Sequence, residues 1–407
     1  MNPEVQQELK ETLFKSRAMI EKEPDDPQAY YDHAMICNQF ALWWEAAEAL
    51  EKAHRLDPEC PIISRLWSIV LMKIGNFRLG LKHFERRFEY PLESNVQVPF
   101  GYDIGPRIRD RYNKPYWDGK ASLKDKTLLI FNEGGHGDLI MNLRYLPVLK
   151  EMGATLIVEA KVELVKLLEK TPYIHQVIPC GPNSWLLFFQ PKFKHPIIEK
   201  VDYCMSLHSA HYFLDPDLDK TPQEFPYLFP QPTDCEAVKV IRECEAGIKL
   251  GIVWAGNEGH GNDNRRSTHK RNFKPLLNIE GVQLFGMQKG NMRRSWYGEM
   301  VDLMEGDDVN CIDIAPLLKD FNDSALALNE LDGLVSVDTS VVHLAGAIDV
   351  PVFLILPSRE WAEWRWQKKW YKAVTPIYQT KDGDWAGLFE KLAQDISKSE
   401  LGRLDRG

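Results

Sequence analysis

The stretch Thr127-Leu-Leu-Ile-Phe131-Asn-Glu-Gly-Gly-His-Gly-Asp138 decides the fold of this 407-residue chain. A short continuous apolar run that ends in a glycine-rich loop is typical of a buried strand in a parallel sheet. A helical pattern follows over residues 139–152, and a second apolar run over residues 154–158 predicts the next strand. This alternation of strand and helix predicts a doubly wound α/β domain.

The alternation continues towards the C-terminus and then restarts. It predicts a helix over residues 162–170 and further strands over residues 176–179, 249–253, 282–286, 333–337 and 350–355. The restart after residues 235–247 predicts two sheet domains that face each other across a cleft. Open parallel sheets bind ligands at the carboxyl ends of their strands. We therefore expect the function in the loops after Phe131, Val253, Gly286 and Val337.

The first ninety or so residues predict pairs of helices instead. Pro24 and Pro58 lie in similar Pro- and Asp-rich turns, 34 residues apart, which is the period of the tetratricopeptide repeat. Such a repeat has small residues where its two helices approach each other, and Ala34 and Ala46 stand at these positions. Leu50 stands where a larger side chain fills the gap between neighbouring repeats. An ordinary helical bundle is the alternative. Stacked repeats offer a concave face, so the segment predicts partner binding or self-association.

Residues 91–121 are rich in Pro, Gly, Asn and Asp and predict an extended linker anchored at Pro115, Trp117 and Gly119. The expected division of the chain follows from these patterns. It has a helical domain (1–95), a linker (96–121), a first sheet domain (122–245), a second sheet domain (246–378) and a C-terminal helix (379–407) that returns to the first sheet domain.

Composition excludes several classes of protein. A net charge of −9 disfavours broad binding to a phosphate backbone, so nucleic acid is an unlikely partner. Seven cysteines without a C-x-x-C pair disfavour a disulfide framework or a zinc ribbon and fit a reducing compartment. The charged N-terminus lacks the pattern of a signal peptide, and no apolar run is long enough for a membrane span. These features predict a cytoplasmic protein.

The sequence Val337-Asp338-Thr339-Ser340-Val341-Val342-His343 is the sharpest functional signal. A strand is predicted to end at Val337 and a helix to start just after it, where free N–H groups and the helix dipole attract anions. Thr339 and His343 are four residues apart and share one face of that helix. A diphosphate fits this site. The alternative is an ordinary N-cap followed by a packed histidine.

The loop over residues 132–138 is the second signal. Its glycines allow a ligand to approach the backbone closely, and they do not match the dinucleotide fingerprint. Asp138 is expected to open the next helix beside the cleft. Its carboxylate has the chemistry of a general base for an acceptor hydroxyl. The alternative is a helix cap.

The third signal is the glycine-rich loop over residues 254–263 and the basic cluster that follows it, which comprises Arg265, Arg266, Lys270 and Arg271. Arginine forks suit phosphate oxygens, so this cluster is a candidate for neutralising a leaving diphosphate. Gln288 and Lys289 lie at a comparable depth after the next strand. A solvated basic loop is the alternative for both segments.

Two other segments have weaker functional signals. Residues 215–219, Asp-Pro-Asp-Leu-Asp, resemble a cation site in composition but lack its glycine turn, and we expect an ordinary loop. The aromatic and basic run over residues 361–371 could stack nucleic-acid bases. An amphipathic helix that buries its tryptophans is the favoured interpretation.

Taken together, these motifs resemble glycosyltransferase family 9, the ADP-heptose:lipopolysaccharide heptosyltransferases, in a subgroup with N-terminal tetratricopeptide repeats. The resemblance covers nearly the whole chain. It lies in residues 115–119, 133–138, 144–147, 251–257, 266–267, 288–290, 338–339 and 343–346. The sequence departs from the family pattern at His136, where an apolar residue is common, and in the polar segment 268–271.

The resemblance implies a GT-B fold: two Rossmann-like domains after the all-α repeat domain. It implies that Asp138 is the general base. It also implies two sets of binding residues. The donor set is Asn257, Arg266, Ser267, Gln288, Lys289, Asp338, Thr339, Ser340 and His343; the acceptor-side loop contributes Glu133, Gly135, His136, Gly137 and Arg144.

The expected function is an inverting, metal-independent glycosyltransferase without a cofactor. Its co-substrate would be an ADP-, UDP- or GDP-linked sugar and its acceptor a glycan or protein hydroxyl. One alternative is a non-catalytic scaffold that binds a nucleotide sugar and recruits partners through its repeats. Another is a glycosyltransferase that modifies nucleic acid.

Overall fold

The computed structural model describes residues 3–89, 112–180, 195–257, 263–289, 292–294, 300–302 and 309–398. Within these residues the chain forms a helical segment followed by two parallel sheets flanked by helices. This is the α/β architecture with two sheets that the sequence predicts. No helix in these ranges is both long and apolar enough to cross a membrane.

The helical segment consists of five helices: α1 (Pro3–Lys22), α2 (Pro27–Gln39), α3 (Trp43–Leu56), α4 (Pro61–Lys73) and α5 (Phe77–Glu85). Proline starts α2 and α4 because its missing N–H and fixed φ suit a first helical turn. The starts of α2 and α4 lie 34 residues apart, as do those of α3 and α5. Ala34, Ala46 and Leu50 are fully buried where neighbouring helices meet.

The first sheet has the strand order β3-β2-β1-β4, with all neighbours parallel. Its strands are β1 (Thr127–Phe131), β2 (Thr155–Lys161), β3 (Gln176–Cys180) and β4 (Tyr203–Ser206). The sequence predicts the first three and misses β4, which has only four residues. The helices of this part are α6 (His136–Asn142), α7 (Leu146–Glu151), α8 (Val162–Leu168), α9 (Ala210–Leu214) and α10 (Glu236–Glu243).

The single helix expected over residues 139–152 is wrong. The chain forms α6 and α7 with a tight 3-10 turn, Leu143–Tyr145, between them. Pro147 explains the break, because inside one continuous helix its ring would clash with the carbonyl of Leu143. In the first turn of a new helix the same proline is well tolerated.

The second sheet has the order β12-β11-β10-β5-β6-β9 and is also parallel. Its strands are β5 (Ile248–Val253), β6 (Val282–Gly286), β9 (Cys311–Asp313), β10 (Gly333–Val337), β11 (Val352–Leu356) and β12 (Val374–Tyr378); a separate antiparallel pair is β7 (Met292–Arg294) and β8 (Met300–Asp302). The flanking helices are α11 (Asp263–Arg266), α12 (Phe321–Asn329), α13 (Ser340–Ala347) and α14 (Trp385–Lys398). The sequence misses both edge strands; β12 contains Pro376, which only an edge position accommodates.

The expectation that the C-terminal helix returns to the first sheet domain is wrong. The apolar face of α14 packs on the second sheet's own core, with Phe389 fully buried against Phe273 at a ring-centroid distance of 4.5 Å. Leu250 of β5 belongs to the same core. The helix therefore completes the second sheet domain.

The described part of the linker lies along the edge strand β4. Trp117 N–H donates to Cys204 O at 2.9 Å, and its fully buried indole donates to Ala121 O. Cys204 N–H in turn donates to Pro115 O. Gly119 has φ +76° and lies against Phe213, where a Cβ would clash. The three expected anchor points are confirmed.

Candidate active site

The helix after β1 begins where the second sheet meets the first. Gly135 is the N-cap of α6, and its N–H donates to Asp138 Oδ2 at 2.9 Å. Gly137 lies directly against α13, since a Cβ on it would come within 3.2 Å of Ser340 Cα and 2.8 Å of His343 Cδ2. Glycine is required here because the two helices meet with no room for a side chain.

The helix after β10 supplies the opposing N-terminus. Thr339 is the N-cap of α13, and its Oγ1 accepts a hydrogen bond from Val341 N–H at 3.4 Å. Thr339 and Ser340 stay partly exposed at this helix start. Asp338 is buried, and burial raises the pKa of its carboxyl despite the nearby cations Arg365 and Arg266. The expected anion site therefore has partly exposed residues at the positive end of the helix.

His343 lies one turn into the same helix and is buried. Its Nδ1 lies 2.8 Å from the hydroxyl of Tyr371, and its ring stacks on Trp366. Burial, aided by the charge of Arg365, lowers the pKa of His343 to about 3. The imidazole is thus neutral near pH 7 and packs between the two helices.

Arg365 connects the two helix starts, and the sequence did not identify it as a site residue. Its Nη1 donates to Asp138 Oδ1 at 3.0 Å. Burial disfavours a charged Asp138, but Arg365, His208 and the Gly135 N–H outweigh it and hold the pKa well below its usual range. The buried Nε of Arg365 has no hydrogen-bond partner among the described residues. Within this part of the chain, Arg365 therefore retains one unpaired N–H, which is enclosed within the protein.

Arg365 belongs to the aromatic and basic run over residues 361–371, for which the amphipathic helix is a wrong prediction. Only Trp364–Gln367 form a short 3-10 turn. The tryptophans are held by separate contacts: Trp361 against Trp43, Trp364 against Phe77, Trp366 against His343 and Trp370 against His211. Each of these tryptophan rings packs against another aromatic ring of the protein, which disfavours the stacking of nucleic-acid bases on them. A lone arginine inside such a run has no sequence signal of its own.

Arg266 lies on the second-sheet side of the site. Its Nε donates to Asp263 Oδ1 at 3.3 Å, and its guanidinium packs on Gly256, where a Cβ would clash. Ser267 Oγ accepts from Gly256 N–H at 2.9 Å and donates to Asp263. Asn257 O accepts a weak bond from Arg266 at 3.5 Å. These contacts bring Asn257, Arg266 and Ser267 together, as expected for one loop.

Gln288 and Lys289, which follow β6, contact backbone groups of neighbouring loops. Gln288 Oε1 accepts from the N–H groups of Trp254 and Ala255, which fixes the start of the loop after β5. Lys289 Nζ donates to the carbonyl oxygens of Ala315 and Leu318. The structure thus directs the Lys289 cation to backbone carbonyls rather than to the start of α13.

Three residues of the expected acceptor-side set contact the helical segment or the second sheet domain. Glu133 pairs with Arg87, which follows α5, at 2.6 Å. Burial opposes ionisation of Glu133, yet Arg87 lowers its pKa to about 2. Arg144 is fully buried and donates to Trp370 O across the two sheets. His136 stacks on Phe321 at 4.9 Å. Arg144 therefore lies inside the core, not at the loop surface.

The expected ordinary loop over residues 215–219 is confirmed. Asp215 accepts hydrogen bonds from the N–H groups of Asp219 and Lys220 and from the hydroxyl of Thr221. Asp217 pairs with Arg78 of α5. Asp219 pairs with Lys368 at 2.9 Å, so all three carboxylates of this loop have partners within the protein.

No family model and no curated protein matches this chain. A comparison with solved structures found several matches of low identity. A glycosyl transferase family 9 protein from Veillonella parvula has 11% identity, covers 70% of this chain and 99% of its own, and has a TM-score of 0.46. The E. coli ADP-heptose lps heptosyltransferase II has 14% identity, coverage of 69% and 100%, and a TM-score of 0.45. An O-GlcNAc transferase from Thermobaculum terrenum has 12% identity, coverage of 99% and 92%, and a TM-score of 0.33.

Proposed function

We propose that this protein is an inverting glycosyltransferase with a GT-B fold that uses a nucleoside-diphosphate sugar. One observation carries the proposal: the helix starts after β1 and β10 meet, with a carboxylate on one side and an anion-binding helix start on the other. Gly137 against Ser340 brings the backbones together, and Arg365 connects Asp138 to this point. A transferase needs these two elements side by side, a base for the acceptor hydroxyl and a site for the leaving diphosphate.

The roles follow from charge and position. The free N–H groups at the start of α13, with Thr339 and Ser340, would hold the diphosphate. Arg266 and Arg365, the two cations that act on Asp338, would neutralise the charge that develops on the leaving group. Arginine can do this without a metal ion, and we propose a metal-independent reaction in which Asn257, Ser267 and Gln288 shape the nucleotide side.

Asp138 is proposed as the general base, and its ion pair explains how it would be controlled. While Arg365 holds it, the carboxylate has a depressed pKa and is a weak base. A diphosphate that draws Arg365 towards itself would remove this stabilisation, and the pKa of Asp138 would rise. Asp138 would then accept the proton of the acceptor hydroxyl as its oxygen attacks the anomeric carbon and the diphosphate leaves. Base strength would depend on donor binding.

The helical segment is proposed to be a pair of tetratricopeptide repeats with a flanking helix. The equal 34-residue spacings of α2 to α4 and of α3 to α5 support this. Arg87 contacts Glu133 beside the first sheet, and Lys73 donates to Ala362 O in the segment that carries Arg365. The repeats thus lie on both halves of the site, which favours a role in presenting a protein or glycan acceptor.

The decisive experiment incubates the full chain with ADP-, UDP- and GDP-linked hexoses and heptoses and measures release of free nucleoside diphosphate. We expect release with one nucleotide class, at a rate that Asp138→Asn lowers. Binding of a nucleotide sugar without any release, with or without candidate acceptors, would favour the scaffold function instead.

A further inference from the structure

A second cluster of reactive side chains lies in the helical segment, far along the chain from the candidate active site. His33 and Cys37 are four residues apart on α2 and are both buried. Glu45 faces them from the first turn of α3, with 30% of its side chain exposed. One ligand atom from each of the three lies within 4.8 Å of the others.

Two of the three distances in the cluster match those between the ligands of one metal ion. His33 Nε2 lies 3.1 Å from Glu45 Oε1, and Cys37 Sγ lies 3.6 Å from the same nitrogen. Tetrahedral zinc, with bonds of about 2.0–2.3 Å, would place its nitrogen and oxygen ligands about 3.3 Å apart and its nitrogen and sulfur ligands about 3.5 Å apart. The three atoms thus form a possible ligand set for one metal ion, and little movement is needed to bind it.

The surroundings of His33 orient its ring for such a role. Ser16 Oγ donates to Leu13 O at 3.0 Å and lies 2.8 Å from His33 Nδ1; in the histidine tautomer that fits both contacts, Nδ1–H donates to Ser16 Oγ. The lone pair of Nε2 then faces a carboxylate oxygen, and two acceptors stand opposite each other with no proton between them. A cation between them resolves this repulsion. A hydrogen bond from Nδ1–H to an outer partner is the usual support of a histidine ligand.

Glu45 has a second partner at the exposed side of the cluster. Arg17 of α1 donates to Glu45 Oε1, so a bound ion would displace this guanidinium or take the other carboxylate oxygen. The partly exposed Glu45 side chain leaves an entry path for an ion and a position for a water ligand.

We propose that His33, Cys37 and Glu45 bind one transition-metal ion of the Zn²⁺ class, with water in the fourth position. Binding releases the thiol proton of Cys37 to solvent, and the thiolate, the neutral imidazole and the carboxylate become the protein ligands. The ion would join α1, α2 and α3 through the ligands and Ser16. This site is independent of the proposed transferase reaction, and its test does not use activity.

The test uses the full chain, stripped with a chelator and titrated with Co²⁺ as a spectroscopic probe. We expect a thiolate-to-cobalt charge-transfer band that saturates at one equivalent and disappears when Zn²⁺ is added. Cys37→Ser should abolish the band, and Glu45→Gln should weaken Co²⁺ binding by about 10-fold or more. Cys60→Ser is the matched control, because this thiol is also free and lies in the same helical segment. It should keep the band.

The outcomes that overturn the proposal are equally definite. A wild-type protein without the band, or a folded Cys37→Ser protein that keeps it, would mean that the cluster is an ordinary hydrogen-bonded group in which Ser16 gives its proton to Nδ1. If Cys37→Ser does not fold, Glu45→Gln decides the question, because unchanged Co²⁺ affinity in that variant would overturn the proposal.

Discussion

The guanidinium of Arg365 donates to the carboxylate of Asp138 across 3.0 Å and joins the two sheets at their loops. Asp138 follows β1 of the first sheet, whereas Arg365 lies between β11 and β12 of the second. Its Nε stays unpaired among the described residues. The same cation therefore contacts the proposed base and lies close enough to Asp338 to influence its pKa, so we propose that it couples donor and acceptor chemistry.

Replacing Arg365 with methionine should weaken the binding of nucleoside diphosphates. A charge-assisted hydrogen bond contributes about 1.5–3 kcal/mol, so we expect an affinity loss of about 10-fold or more. The pKa of Asp138 should rise in the same variant. Calorimetric titration with ADP, UDP and GDP measures the first effect, and the acidic limb of the pH–rate profile measures the second.

Arg359→Met is the matched control for this variant. Arg359 lies in the same connection, is exposed, and packs over Tyr378 at 4.3 Å. It should bind nucleotide as the unmodified protein does. Equal affinities for Arg365→Met and the unmodified protein would remove Arg365 from the phosphate site.

Asp138→Asn should separate catalysis from binding. The amide keeps the shape of the side chain but cannot accept the acceptor proton, so turnover should fall by about 10²-fold or more. Nucleotide-sugar affinity should not fall, because the proposed phosphate contacts lie on the second sheet and the amide no longer holds Arg365 in an ion pair. Asp125→Asn, an exposed position just before β1, is the control with unchanged turnover. A turnover of Asp138→Asn equal to that of the control would exclude Asp138 as the base.

Much of this site could be predicted because its signal is local. A buried strand such as β1 is a continuous apolar run, and the residue after it must lie at the carboxyl edge of the sheet. Asp138 and Thr339 were found in this way. Arg365 and the Arg87–Glu133 pair could not be found, because each joins segments far apart in sequence and only the packing of the domains brings them together. Lys289 has the right residue type, yet nearby carbonyls take its donors.

Glu133→Gln should destabilise the contact between the helical segment and the first sheet. The substitution removes one of the two carboxylates that pair with the buried Arg87. We expect the free energy of unfolding to fall by about 3 kcal/mol. This value is at the lower end for a broken buried ion pair because Glu85 still pairs with Arg87. Chemical denaturation measures it. Glu163→Gln, which loses a half-exposed pair with His136, should cost at most about 1 kcal/mol. Similar losses in the two variants would contradict a stabilising role for the Arg87 pair.

Stability should fall as the pH drops below about 6.5, because His343 and His211 are buried and neutral. Burial lowers the pKa of each to about 3. The unfolded chain takes up these protons first, so the stabilisation is complete above the unfolded pKa and is lost progressively towards pH 3. Each histidine contributes about 1.4 kcal/mol per pH unit within this window. Urea denaturation at pH 7, 6 and 5 measures the slope, and His343→Gln should reduce it. An unchanged slope in that variant would show that His343 is protonated in the folded protein.

Gly137→Ala tests whether the two helix starts must touch. The added methyl group would meet Ser340 Cα at 3.2 Å and the ring of His343 at 2.8 Å, so α6 and α13 must move apart. Overpacking of this kind costs about 1–3 kcal/mol of stability. It would also misplace Asp138 relative to the anion site, so turnover should fall more than nucleotide affinity does. Gly247→Ala, whose nearest neighbouring atom lies 3.9 Å away, is the control for the loss of a glycine. If Gly137→Ala matches this control in stability and turnover, close contact between the two helices is not needed for the reaction.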